Sequence, residues 1–169
     1  GAFAHYGETA IQGLKLGIEY ATGGTWEIAG RTIQLLIEDD GGEPESAEQI
    51  ARALIEREGV HLLQGCTSSP AAIKIARLAQ EYERLFVVAM AAADVLTAQW
   101  FNPYIFRTAS TTSQDAAAGG RYAVQHLGQR FAFLSADYIW GHQSRAAWWR
   151  SVQAEGGEIV GDVMAPRDE

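Results

Sequence analysis

Residues 61–89, HLLQGCTSSPAAIKIARLAQEYERLFVVA, decide the fold. His61-Leu62-Leu63-Gln64-Gly65 reads as a strand, Ser69-Pro70 opens a helix lasting to about Glu83, and Leu85-Phe86-Val87-Val88-Ala89 reads as a second strand. A helix crossing between two short apolar strands implies parallel pairing. Upstream, Arg31 to Asp39 reads as a strand whose run Ile33-Gln34-Leu35-Leu36-Ile37 is nearly continuous in apolar character, as expected where helices cover both sheet faces. Glu43-Pro44-Glu45-Ser46 opens a helix running to Glu58-Gly59, with acids near its positive end. Before it, Ile11, Leu14, Leu16, Ile18 and Ala21 mark an amphipathic helix from Thr9 to Thr22, stopped by Gly23-Gly24. Downstream come a short strand Tyr104–Arg107, a helix from Thr112 or Ser113 to Leu127, a strand Arg130–Ala136, a helix Ser144–Glu155 and a strand Glu158–Met164. This alternation predicts an α/β fold with a doubly wound, mostly parallel sheet. The loop Gly1–Gly7 leads straight into a helix where a strand is expected, so the expected first strand is absent from this chain or supplied by another segment or chain, and the chain reads as a piece of something larger.

Composition narrows the function. The 169 residues carry 13 Lys+Arg against 21 Asp+Glu, a formal charge of −8, which argues against a nucleic-acid binder. At roughly 100–200 residues per domain the length fits one domain, and 47% hydrophobic residues suffice for a core. No apolar run approaches the roughly 20 residues of a membrane span. The single cysteine, Cys66, excludes an internal disulfide framework and reads as a small buried hydrophobe.

In doubly wound sheets ligands sit at the carboxyl ends of strands, which singles out the loops 39–44, 65–70, 89–97 and 136–141. The loop Gly65 to Ala72 sets three hydroxyls where unpaired helix N–H groups point outward, a setting that favours a carboxylate or other small anion. The structural alternative is that Ser69 only caps the helix. Phosphate-loop, dinucleotide and Gly-x-Ser-x-Gly motifs are absent. The four histidines lack metal-ligand spacing, and Asp39-Asp40 reads as a structural turn. Ala91-Ala92-Ala93 leaves backbone groups open to a ligand, while Tyr138, Trp140 and Tyr6 are aromatics suited to stacking over a ligand or covering the core.

Six pieces, the Tyr6-Gly7 lead-in, Gly23-Gly24 with Gly30-Arg31, Glu38-Asp39-Asp40 with Pro44, Gly65 to Ser69, Leu96-Thr97 with Asn102-Pro103-Tyr104, and Asp137-Tyr138 with Trp140-Gly141, carry a resemblance. In order, they resemble the amino-terminal lobe of a type I periplasmic binding protein of the leucine/isoleucine/valine-binding family. The resemblance implies that residues 1–169 form a ligand-binding lobe of a two-lobe extracytoplasmic receptor. Such a receptor closes around a small solute and docks on an ABC permease, with an export signal upstream, no cofactor and no catalysis. It further implies that Ser68 and Ser69 hold a ligand carboxylate, that the Ala91–Ala93 loop meets carboxylate and ammonium, and that Tyr6 and Tyr138 line the pocket. Members of the family often carry a hydroxyl residue where this chain has Ala91-Ala92-Ala93, which widens the expected ligand to amino acids, amides or small carboxylates. A sensor of the same fold and an α/β enzyme using the same loops are the alternatives. An open sheet edge also invites self-association.

Overall fold

A computed structural model describes residues 4–166. They divide into two compact units, one holding the residues up to Ala91 with Asn102–Phe106, the other Ala92–Phe101 with the residues from Arg107 onward.

The first unit is built around the predicted crossover. Strand β3 (Leu62–Gly65) pairs in parallel with β4 (Leu85–Val88), Leu62 opposite Leu85 and Gly65 opposite Val88. Strand β5 (Ile105–Arg107) lies on the far side of β4, giving the order β3-β4-β5. Between β3 and β4, helix α3 (Ser69–Glu81) buries Ala71, Ala72, Ile75, Ala76, Leu78 and Ala79. Four of those six are alanines, so the helix backbone comes close to its neighbours, and Phe86 and Val88 are fully buried beside it in the same unit. Helix α2 (Pro44–Glu56) buries only Ala47, Ala51 and Ile55, the stripe expected at three- to four-residue spacing. Lys74 bridges α3 to Glu48 of α2 at 2.7 Å.

Two expectations in this unit are corrected. Helix α1 (Ala4–Thr22) starts five residues before the expected Thr9, so Tyr6 lies on a helix rather than in a loop; Gly1–Phe3 of that loop lie outside the described residues. Of the strand expected from Arg31 to Asp39, only Arg31–Thr32 (β2) is paired, in an antiparallel hairpin with β1 (Glu27–Ile28). Residues 33–40 form no ladder with any described strand, and Leu36 and Ile37 stay 36% and 46% exposed. An apolar run makes a strand only when a neighbouring strand takes its N–H and C=O groups.

In the second unit, β6 (Arg130–Ala136) and β7 (Glu158–Ala165) pair in parallel with a bulge at Phe131/Ala132. Helices α4 (Thr112–His126) and α5 (Ile139–Ala154) lie against one another. Thr111 caps α4 reciprocally with Gln114, so the cap falls one residue before the expected pair. Arg145 holds Asp162 through both carboxylate oxygens, with Nε at 2.7 and 2.8 Å, and its guanidinium stacks over Trp149, tying α5 to β7. Helix α5 starts five residues earlier than the expected Ser144, which moves Trp140 and Gly141 from loop to helix. The early start needs Gly141, because a Cβ there would collide with the backbone of Ala136. Gly141→Ala is therefore expected to cost about 1–3 kcal/mol by overpacking, read as a lowered urea midpoint of the second unit.

Candidate functional site

The loop after β3 is fixed by backbone bonds on its inner side. The carbonyl of Gly65 accepts from Ala89 N–H at 2.8 Å, and that of Cys66 accepts from Ala91 N–H at 3.1 Å, so the loops after β3 and β4 are stitched together. Ser68 follows in extended conformation as the cap position of α3, Pro70 occupies the first turn, and Ser68 C=O accepts from Ala72 N–H at 2.9 Å. The cap residue is thus Ser68, not Ser69, and its side chain makes no capping bond. Ser68 is 1% and Ser69 2% exposed. The Ser68 Oγ is buried without any hydrogen-bond partner, at the end of a helix whose first N–H groups point the same way as the positive end of its dipole. Like the Arg84 Nε, also buried without a partner in the first unit, it is an exception to the rule that buried polar groups are hydrogen-bonded.

The cysteine beside it, expected as a buried hydrophobe, is partly exposed, and its thiol is held protonated. Burial, reinforced by the charge of Asp40, pushes the Cys66 thiol up to about 12, and its Sγ–H donates to Ser68 C=O at 3.4 Å. Asp39 and Asp40 accept from the N–H groups of Gly41 and Gly42 at 2.9 and 2.7 Å, which is the structural turn expected from sequence. Tyr6 projects from α1, half exposed, with its ring 6.2 Å from that of His5.

Of the remaining expected residues, Ala91 belongs to the first unit and Ala92, Ala93 and Tyr138 to the second. Ala91 and Ala93 are buried. Ala93 C=O accepts from Arg107 Nη1 at 2.8 Å, and a single turn of 3-10 helix, Asp94–Thr97, follows. Tyr138 takes the cap position of α5, its ring stacked at 5.9 Å on that of Trp140. Next to it Asp137 pairs with His142 at 2.9 Å.

Sequence reasoning missed the network that shapes the Ala93 loop. Asp94 accepts from Thr112 Oγ1 at 2.7 Å, Ser113 Oγ at 2.7 Å and Ser113 N–H at 3.1 Å, while Arg107 reaches Ala93 C=O and Thr97 Oγ1. The signal was the hydroxyl run Thr111-Thr112-Ser113, which sequence reading treats only as a helix cap. Burial opposes the charge of Asp94, yet the hydroxyl and N–H donors of Ser113 and Thr112 win and hold its carboxyl below the usual range. Among the described residues, no group of three His, Cys, Asp or Glu side chains is placed to hold a metal, and no helix is long and apolar enough to cross a membrane.

Parallel strands joined by helix crossovers, β3-α3-β4 and β6-α5-β7, make this an α/β protein. The sequence profile of the family described as Periplasmic binding protein matches residues 1–169, and the chain belongs to that family. It is 26% identical over 164 residues to Leu/Ile/Val-binding protein homolog 6 of Brucella abortus (strain 2308), covering 95% of this chain and 42% of the relative. Among solved structures, an ABC transporter substrate-binding protein from Sphaerobacter thermophilus is 35% identical with a TM-score of 0.86, over 100% of this chain and 46% of the other. An R. palustris solute-binding protein in complex with benzoate matches at 27% identity and a TM-score of 0.91, with the same coverage. A branched-chain amino acid transporter protein of Rhodopseudomonas palustris CGA009 matches at 31% identity and 0.74, over 98% and 43%. The chain thus spans less than half the length of these relatives.

Two outcomes follow. Cys66 is expected to resist a thiol-specific disulfide reagent at pH 8 in the native protein and to react fully once unfolded. Asp94→Ala is expected to lower stability by about 1–2 kcal/mol through the lost charge-assisted hydrogen bonds. Because the folded carboxyl lies below its unfolded value, that difference is full above about pH 5 and fades as pH falls through the lowered folded value; denaturant titrations at several pH values check it.

Proposed function

We propose that this chain forms part of the extracytoplasmic solute receptor of an ABC importer and binds a small carboxylate, amino acid or amide without chemical turnover. The observation that carries this reading is the buried, unpartnered Ser68 hydroxyl at the amino end of α3. A carboxylate placed there takes a hydrogen bond from that hydroxyl and sits at the positive end of the helix. Ser69, at the first helical position, and Ala91, whose N–H is held by the Cys66 carbonyl, are the first unit's neighbouring expected contacts. The parts of Tyr6, Ala92, Ala93 and Tyr138 rest on the family resemblance. Solved relatives in complex with 3,4-dihydroxy benzoic acid and 4-hydroxybenzoate, and curated relatives named for leucine, isoleucine and valine, support a carboxylate as the common feature.

Transport use of such a site requires the ligand to favour one conformation over another by its differential affinity, and the partner that reads the favoured form is a membrane permease. The full-length protein is the object to test, against a panel of benzoate, 4-hydroxybenzoate, leucine, valine and the matching neutral amides. Binding measured by calorimetry is expected for at least one carboxylate. Ser68→Ala should weaken it about tenfold, the loss of one hydrogen bond to a charged group. The same substitution removes a buried unsatisfied hydroxyl, so the ligand-free protein should be no less stable. A ligand-free protein that loses stability on Ser68→Ala while affinity stays unchanged would make Ser68 a structural residue and overturn the assignment.

A further inference from the structure

One chemical property recurs along the strand-exit loops, where ligands of such sheets sit: acceptors are engaged by donors of the same unit. In the first unit the carbonyls of Gly65 and Cys66 are held by the N–H groups of Ala89 and Ala91, at 2.8 and 3.1 Å. The Ser68 carbonyl takes two donors, Ala72 N–H at 2.9 Å and the Cys66 thiol at 3.4 Å. Asp40, whose charge is felt at Cys66, is committed to Gly42 N–H at 2.7 Å, and Glu43 stands exposed to solvent. In the second unit Thr112 N–H holds the Ala92 carbonyl at 3.0 Å. The Ala93 carbonyl takes Arg107 Nη1 at 2.8 Å together with Leu96 N–H at 3.3 Å, which fills both its lone pairs. Neither alanine adds a side-chain acceptor, Asp94 is taken up by Thr112 and Ser113, and Asp137 pairs with His142 at 2.9 Å. Donors are in the opposite state. The Ser68 hydroxyl is buried with no partner among the described residues, and the first N–H groups of α3 have none within their helix.

We propose that the ligand is a carboxylate bearing no α-ammonium group, that amino acids are discriminated against, and that Arg107 is the positioning residue that sets this selectivity by occupying the Ala93 carbonyl. This selectivity rests on the proposed carboxylate site and narrows its ligands to aliphatic or aromatic acids without an amino group. An α-ammonium brings a positive charge and three N–H donors, and binding that leaves them without acceptors costs far more than placing a C–H in the same position. A guanidinium already bound to the Ala93 carbonyl competes for the same lone pairs and repels a second cation. A carboxylate meets the reverse case. It is acceptor-only, and Ser68 with the start of α3 offers donors at the positive end of a helix. Nothing beyond an apolar body is then asked of the remainder of the ligand.

The test is calorimetry on the full-length protein with pairs that differ only in the amino group, leucine against 4-methylpentanoate and phenylalanine against 3-phenylpropanoate, with benzoate as a further carboxylate. The amino-free acid of a pair that binds is expected to do so at least about tenfold more tightly than its amino acid. Binding of benzoate with no amino acid of the panel bound supports the proposal equally. Arg107→Met releases the Ala93 carbonyl and removes a cation, so it should narrow the ratio within a pair severalfold even where both affinities fall. Arg107→Lys, which keeps a cationic donor, should retain most of the ratio. A purely structural role would lower both affinities and leave their ratio as it was, and that result overturns the proposal. So does an amino acid that binds as tightly as its amino-free partner, an outcome that leaves the receptor reading intact and can be read from the wild-type protein alone. If no carboxylate of either kind binds, the receptor reading itself fails and takes the selectivity with it.

Discussion

The close seating of α3 in the first unit is the constraint on which the candidate site depends. Ala71, Ala72, Ala76 and Ala79 are each at most 2% exposed, so nothing larger than a methyl group separates that face of the helix from its neighbours. The Asn102 side chain adds a buried bond to the Ala76 carbonyl at 3.1 Å, holding the helix from the side that leads into β5. Since β3 and β4 are paired in register and their exits are linked through Gly65, Cys66, Ala89 and Ala91, the position of the first turn of α3 is set on two sides. Ser68 lies at that junction. Its hydroxyl is withdrawn from water by packing that has other causes, and rigid support of this kind is what a binding group needs.

What distinguishes the site from the rest of the surface is the state of its polar groups rather than their number. Asp39 and Asp40 are consumed by their own turn, Asp94 by Thr112 and Ser113, Asp137 by His142, and Asp162 by Arg145. Each of these carboxylates has an internal structural task. The Ser68 hydroxyl has none among the described residues, and neither has the buried Arg84 Nε. Satisfied polar groups specify the fold, and the proposed ligand contact rests on a hydroxyl at the start of α3 that is not among them.

Most of the architecture was legible in the sequence because the signals were local. The glycine pair Gly23-Gly24, Pro44 and Pro70 at helix starts, and the apolar runs 62–65 and 85–88 mark boundaries through backbone geometry alone, and the structure places elements there. The failures share one cause. Residues 33–39 have the composition of a buried strand, but strand formation needs a neighbour that local sequence does not name. Helix α5 begins at Ile139 because Gly141 lets the turn pass close to Ala136, a contact invisible to periodicity. The Asp94 network joins residues 18 and 19 positions apart, beyond the reach of motif spacing.

The amino-acid sequence by itself determined the alternation of strands and helices, the parallel sense of the central pair, the helix start at Ser69-Pro70 and the family resemblance, since each follows from periodicity, capping chemistry or residue order. Only the tertiary structure decided that Ser68 rather than Ser69 holds the cap position, that its hydroxyl is left without a partner among the described residues, and that the carbonyls of Ala92 and Ala93 are already taken. Those facts depend on which groups meet across long stretches of chain, and burial and hydrogen-bond satisfaction are properties of the packed molecule, not of any segment within it.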